Sequence, residues 1–161
     1  MAATSTGTTT FTTPSDTEAV MTRIVDAPKA LVWDVYTKPE HIQQWMLGPE
    51  GWTMPVCEID LRPGGAYRYG WRKSEGDEME ITGAFREISP PDRLVSTESW
   101  GADWPDTINT VVLTEQDGKT TITTTMLYPS KEARDAALQT GMKEGASVTF
   151  DRLDAYLASL A

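Results

Sequence analysis

Residues 130–161 read SKEARDAALQTGMKEGASVTFDRLDAYLASLA, and this stretch decides the fold that we predict. Ser130 is a favourable helix N-cap and no proline follows it, so roughly 30 residues can form one helix of about 45 Å. Apolar residues recur at spacings of three and four along one side, and charged residues occupy the other. Such a helix can lie across a curved sheet and cover it.

Two glycines, Gly141 and Gly145, lie near the middle of this stretch. Each costs about 1 kcal/mol relative to alanine in a helix interior. Their position indicates either that another part of the molecule comes close or that the helix bends, and a mild kink without function fits equally well.

The composition excludes several classes of protein. With 161 residues, one cysteine and one histidine, the chain has neither a disulfide framework nor a structural zinc set, and a reducing, cytoplasmic setting fits best. Its formal net charge of -10 argues against nucleic acid and anionic membranes as partners, and no apolar run is long enough for a membrane span. We expect a flexible threonine-rich extension over residues 1–14, which could pair with a strand through Phe11, and a single domain over residues 15–161.

From residue 18 onwards, the hydrophobic pattern predicts a strand, two short helices, six strands and the long helix. Asp26 is the expected cap of the first helix, and the second covers residues 39–46. Period-two alternation, broken by turn residues, predicts strands near residues 18–26, 53–61, 66–73, 78–88, 93–99, 107–115 and 120–128. Strands joined by short turns pair with their neighbours, so the sheet should be largely antiparallel.

The predicted inner face of this sheet is mixed rather than purely aliphatic. Tyr67, Tyr69 and Trp71 share one face of their strand. Asn109 and Thr124 lie near the middle of the same surface, where a buried amide or hydroxyl needs hydrogen-bond partners. They are either satisfied within a solid core or bonded to a ligand or water in a cavity.

Several short motifs occur in an order that resembles a known family. They are RIVDAP at residues 23–28 followed by Val32-Trp33, PEHI at 39–42 with Gln44-Trp45, DLRPGG at 60–65, GAF at 83–85, PPDRL at 90–94, GMKEG at 141–145 and DRL at 151–153. The chain resembles the activator of heat-shock-protein-90 ATPase homologue family. That family is part of the START-like, or SRPBCC, superfamily, which also includes birch-pollen-allergen-like proteins and polyketide cyclases.

The resemblance implies an α+β helix-grip fold. In this fold a curved antiparallel sheet of about seven strands, with two short helices, wraps around a long C-terminal helix and often leaves a cavity. The superfamily further implies a small hydrophobic or aromatic ligand between sheet and helix. We expect neither cofactor nor metal, and the residues predicted to line the ligand site are Trp45, Tyr69, Trp71, Ile81, Asn109, Thr124, Met126, Met142 and Phe150.

Two other functions stay open. One is a co-chaperone-like interaction domain, in which the loop with Trp100 and Trp104 forms either the cavity mouth or a contact with a chaperone or a second copy of the chain. The other is a cyclase- or hydrolase-type enzyme, which would require a titratable group such as Glu98 or Glu58 to face inward. Since no nucleophile and base lie near each other in the sequence, we predict no catalytic residue and favour a binding protein over an enzyme.

Overall fold

The computed structural model describes residues 7–47, 51–101 and 104–160. The elements in chain order are β1 (Thr9–Ser15), β2 (Glu18–Val25), α1 (Lys29–Thr37), α2 (Pro39–Trp45), β3 (Trp52–Ile59), β4 (Ala66–Lys73), β5 (Glu78–Ser89), β6 (Arg93–Glu98), β7 (Thr107–Gln116), β8 (Lys119–Leu127), α3 (Lys131–Leu138) and α4 (Met142–Leu160). This order confirms the predicted α+β class. None of the described helices combines the length and apolar character needed to cross a membrane.

One antiparallel sheet contains all eight strands in the order β1-β2-β8-β7-β6-β5-β4-β3. Strands β3 to β7 each pair with the next strand in the chain, because short connections favour hairpins. Strand β2 pairs instead with β8 along its whole length, since α1 and α2 separate it from β3. Register shifts in β3 and β5 bend those strands, and the sheet curves around the helices in the predicted helix-grip arrangement.

Strand β1 is the eighth strand, one more than the approximate number predicted. The expectation of a flexible extension over residues 1–14 is wrong for residues 9–14, which form most of β1. Phe11 pairs with Met21 of β2, so the strand pairing through Phe11 that the sequence analysis allowed is present. The pairing has a simple physical cause, because β2 would otherwise present a row of unpaired backbone groups at the sheet edge. Residues 1–6 lie outside the described ranges.

Helix α1 begins later than predicted, and Asp26 does not cap it. The N-cap is Pro28, which makes no side-chain cap, and its carbonyl oxygen accepts hydrogen bonds from the backbone N–H groups of Leu31 and Val32 at 3.1 Å. The Asp26 carboxylate is exposed and lies 3.5 Å from Lys119 Nζ. Proline fixes φ at a helical value, so the backbone can open a helix there without a polar side chain.

The single C-terminal helix predicted over residues 130–161 is in fact two helices. Ser130 caps α3 as expected, because its side chain accepts a hydrogen bond from the Ala133 backbone N–H. The chain then leaves the helical conformation at Gly141, whose φ of 81° is strained for any residue with a Cβ. The hydroxyl of Thr140 donates to the Ala137 carbonyl at 2.7 Å and satisfies one of the orphan groups at the end of α3.

Only the C-terminal half of α4 packs into the core. Its buried residues are Phe150, Leu153 and Leu157, which lie in one cluster with Val25 of β2 and Val32 of α1. None of the residues that precede Phe150 in α4 is buried. Apart from Met142, which packs beside Met126 and Tyr128, the first half of the helix therefore stands over the sheet without closing onto it.

An arginine on the inner face of β2 connects this helix to the sheet. Arg23 is 2% exposed, and one guanidinium nitrogen, Nη2, donates to carboxylate oxygens of both Asp151 and Asp154 on α4. Its other terminal nitrogen, Nη1, donates to Thr9 Oγ1 of β1 at 2.8 Å. The guanidinium also lies 5.9 Å from the centre of the Phe150 ring. One side chain thus joins β1, β2 and the packed half of α4.

We expect the substitution Arg23→Met to lower the free energy of unfolding by about 2–3 kcal/mol. It removes charge-assisted hydrogen bonds and leaves the half-buried Asp154 without its counterion. The expected loss is smaller than the largest values known for broken buried ion pairs, because Asp151 is exposed to water. The substitution also removes the buried Arg23 Nε, which has no hydrogen-bond partner among the described residues. Urea unfolding monitored by circular dichroism measures it.

Arg72→Met is the matched control for this prediction. Its pair with Glu78 spans 3.2 Å between exposed side chains, for which about 0–1 kcal/mol is expected. Equal losses in the two variants would show that Arg23 does not anchor α4.

Candidate functional site

A cavity of about 880 Å³ lies between the inner face of the sheet and the first half of α4. Its floor is formed by inward-facing residues of β2 and of β4 to β8, among them Met21, Phe85 and Val111. Trp45 and Met46 close one end, and α4 forms the roof. The lining is mainly apolar and aromatic, with a few polar groups.

Eight of the nine predicted site residues line this cavity. They are Trp45, Tyr69, Trp71, Ile81, Asn109, Thr124, Met142 and Phe150. The period-two alternation places their strand residues on the inner face, and α4 contributes the last two from the opposite side. Their contact with a ligand stays a prediction.

Met126 is the exception, because it does not line the cavity. It shares the inner face of β8 with Thr124 but is 8% exposed and packs with Ala19 and Tyr128. Ala133 and Leu138 of α3 cover this end of the sheet. The break at Gly141 allows α3 to fold down over Met126, which a single straight helix would not do.

The aromatic wall on β4 is held in place by its own hydrogen bonds. Trp71 Nε1 donates to the Met46 carbonyl oxygen at 2.8 Å, and the Tyr67 hydroxyl donates to the Thr97 carbonyl oxygen at 2.6 Å. Tyr69 lies between them, 4.9 Å from the Tyr67 ring and 6.2 Å from the Trp71 ring. The Trp71 indole N–H and the Tyr67 hydroxyl are thus satisfied by backbone carbonyls, and all three rings line the cavity.

Trp100 and Trp104 have different positions. Trp100 lies at the rim of the cavity and is 41% exposed. Its ring is stacked on that of Trp71, with 6.2 Å between the ring centroids and an interplanar angle of 10°. Trp104 is 43% exposed and does not line the cavity. The structure thus favours the cavity-mouth alternative for Trp100, and a partner contact through Trp104 stays a prediction. Residues 102 and 103 lie outside the described ranges.

A carboxyl group missing from the predicted ligand site lies inside the cavity. Glu98 ends β6, and its two carboxyl oxygens accept hydrogen bonds from Trp100 Nε1 and Asn109 Nδ2, both at 2.6 Å. Asn109 Oδ1 in turn accepts from the Thr107 hydroxyl at 3.0 Å. Burial raises the pKa of Glu98, and the two hydrogen bonds oppose that rise in part.

Glu98 could have been found from the alternation within β6. Leu94, Ser96 and Glu98 all line the cavity and are two residues apart, as side chains on one strand face must be. Glu58 has the opposite orientation: it is exposed and lies 3.4 Å from Arg68 on the outer face. Of the two acids named in the sequence analysis, only Glu98 therefore faces inward as an enzyme would require.

The single histidine and the single cysteine, His41 and Cys57, do not line the cavity. His41 Nδ1 is 2.5 Å from the Tyr156 hydroxyl, between α2 and α4. Burial raises the pKa of the Cys57 thiol to about 11, so little of it is the reactive thiolate at neutral pH. No three His, Cys, Asp or Glu side chains within residues 7–47, 51–101 and 104–160 are grouped so as to hold a metal ion.

Similarity to known proteins agrees with this architecture. Residues 26–158 match the sequence model of the family described as Activator of Hsp90 ATPase homolog 1-like protein. No curated protein matches the sequence.

Solved structures match over most of the chain. A Rhodobacter sphaeroides protein is 28% identical, with a TM-score of 0.89 over 96% of this chain and 100% of its own. A Mycobacterium smegmatis protein is 27% identical, with a TM-score of 0.81 over 92% of this chain and 96% of its own. From its fold and its match over residues 26–158, the chain belongs to the Activator of Hsp90 ATPase homolog 1-like family, within the START-like superfamily.

Proposed function

We propose that this protein binds a small apolar or aromatic molecule in the cavity between the sheet and α4. The observation that carries the proposal is the cavity itself, whose volume of about 880 Å³ is within the range of small-molecule sites. Its chemistry also fits, because aromatic and aliphatic walls surround a few polar groups at fixed positions. Family membership supports a ligand-binding or co-chaperone-like role at this coarser level.

Small residues on α4 keep the cavity open. Protein interiors normally pack to high density, so a void of this size needs a cause. A Cβ added at Gly145 would have no heavy atom within 4 Å, and Ala146 follows it along the cavity roof. Larger apolar residues at these positions would fill the space that we assign to the ligand.

The entrance lies between α4 and the end of β6. Trp100 on one side and Val148 on the other both line the cavity and are exposed, at 41% and 45% respectively. An exposed apolar rim of this kind suits the entry of an apolar molecule from water.

We also propose that the protein acts in a reducing compartment such as the cytoplasm, as its cysteine content indicates.

The substitution Gly145→Phe tests this proposal, because it adds a ring to the roof of the cavity. We expect the wild-type protein to bind the neutral probe N-phenyl-1-naphthylamine saturably, with a rise in probe fluorescence. Gly145→Phe should weaken that binding by at least about tenfold, since the new ring occupies the space of the probe. Fluorescence titration gives both dissociation constants.

Ala155→Phe is the control, because it adds the same ring to the exposed side of the same helix. Circular dichroism verifies that both variants are folded. Saturable binding that survives in Gly145→Phe, or no saturable binding to the wild type, would contradict the proposed function.

A co-chaperone-like role is the second candidate, supported by the family and by the exposed indole of Trp104. Trp104 is 43% exposed and does not line the cavity, and large aromatic residues are enriched where proteins meet. A chaperone of the heat-shock-protein-90 class is the partner that the family description suggests.

If this second role is correct, the protein should raise the ATPase rate of such a chaperone, and Trp104→Ala should abolish most of the rise. Val148→Ala is the control, since it removes an exposed apolar group from another surface. An unchanged ATPase rate in the presence of the wild-type protein would rule out this candidate and leave ligand binding unaffected.

A further inference from the structure

Within the part of the chain that the structure describes, the carboxyl of Glu98 has no positively charged partner. Its hydrogen-bond donors, Trp100 and Asn109, are both neutral, and among the described residues it forms no ion pair. A carboxylate can accept about four hydrogen bonds, and these two donors use one site on each oxygen. Acceptor capacity for a further donor therefore remains.

Keeping an acid at this position carries a physical penalty. Removing a carboxylate from water without a counterion is unfavourable, which is why burial raises the pKa of Glu98. Glutamine has the same shape and could accept the indole hydrogen bond, and a flipped Asn109 amide could accept from its amide nitrogen. The architecture alone therefore does not require a charged group here.

The surroundings of Glu98 suit a cation. Trp100, whose indole N–H bonds to Glu98, stacks on Trp71, and Tyr69 continues the wall beside Trp71. Faces of indole and phenol rings attract positive charge, most strongly where water is excluded. The formal net charge of -10 further favours the approach of a cation over that of an anion.

Two other charged residues line the cavity, Glu144 and Arg152, both on α4. Arg152 already takes part in an interaction within the protein. Among the described residues no second titratable side chain is hydrogen-bonded to Glu98, so no paired acid and base is formed there, whereas recognition of a cation needs the carboxylate alone.

We propose that Glu98 binds a protonated amine of the ligand, so that the ligand class is an apolar or aromatic amine whose ring or chain fills the rest of the cavity. This inference rests on the proposed function, since it names the chemistry of the same site. The amine would supply Glu98 with the positive charge that no hydrogen-bond partner among the described residues provides, and the stacked indoles would cover its apolar part.

A stability measurement tests the premise that the carboxyl is retained at a penalty. Because the pKa of Glu98 is raised in the folded state, that state binds more protons, and wild-type stability should fall as pH rises above the ordinary value of about 4.3. Glu98→Gln removes this loss. Its melting temperature should therefore match that of the wild type near pH 4 and exceed it at pH 8, and a lower value at pH 8 would contradict the premise.

Isothermal titration calorimetry with three probes that share one ring tests the inference itself. They are 1-naphthylmethylamine, 1-naphthylmethanol and 1-naphthylacetate, which are cationic, neutral and anionic. At pH 8 we expect the wild type to bind the amine at least about tenfold more tightly than the alcohol, with the acetate weakest. In Glu98→Gln the ratio of amine to alcohol affinity should fall to within about twofold.

Glu58→Gln is the matched control, because it removes the same charge from the outer face of the sheet and should keep the wild-type ratio. The ratio should also rise with pH in the wild type, because the ionised form of Glu98 binds the amine, and it should stay flat in Glu98→Gln. Burial raises the pKa values of the neighbouring phenols, Tyr67, Tyr69 and Tyr128, so these groups remain neutral up to pH 8.

The outcomes separate this inference from the proposed function. Equal affinity for amine and alcohol in the wild type, or a pH dependence that persists in Glu98→Gln, would overturn the inference while ligand binding stands. If N-phenyl-1-naphthylamine and all three naphthyl probes fail to bind, the proposed function fails, and the inference fails with it.

Discussion

The ionic contact of Arg23 with Asp151 and Asp154 is the constraint on which the cavity depends. It fixes the C-terminal half of α4 against β2, while Phe150 packs beside the same guanidinium. The first half of α4 makes weaker contacts, with Lys143 Nζ 5.7 Å from the centre of the Phe11 ring and Met142 Sδ 3.9 Å from the Tyr128 hydroxyl. One half of the helix therefore acts as an anchor and the other as a roof, and the space under the roof is the candidate site.

The interruption at Gly141 completes this arrangement. Because the backbone there adopts a positive φ, α3 and α4 are free to take different directions. Helix α3 covers the end of the sheet around Met126 and Tyr128, whereas α4 spans the aromatic wall of β4. A sheet whose inner face is covered at both ends and open in the middle can admit a ligand without losing its core.

The chemistry of the cavity follows from neighbouring strands. Trp71 and Tyr69 belong to β4, Glu98 to β6 and Asn109 to β7, so four side chains from three strands meet around one position. Hydrogen bonds orient Glu98 and Asn109, and stacking orients the indoles. Members of the family share the helix-grip fold. Polar groups inside an apolar cavity, such as these, can therefore make one member select a different ligand from another.

By itself, the sequence determined the fold class, the family and the inner face of the sheet. Of the nine side chains that it predicted to line the ligand site, eight line the cavity. Hydrophobic periodicity is a local property of the sequence. It predicts which side chains share a face without any information on what packs against that face. Tertiary structure alone decided the helix break, the place of Met126 and the lack of a counterion for Glu98 among the described residues. These depend on which surface covers a residue and on whether a carboxylate inside the cavity meets a positive charge, and both are contacts between distant parts of the chain.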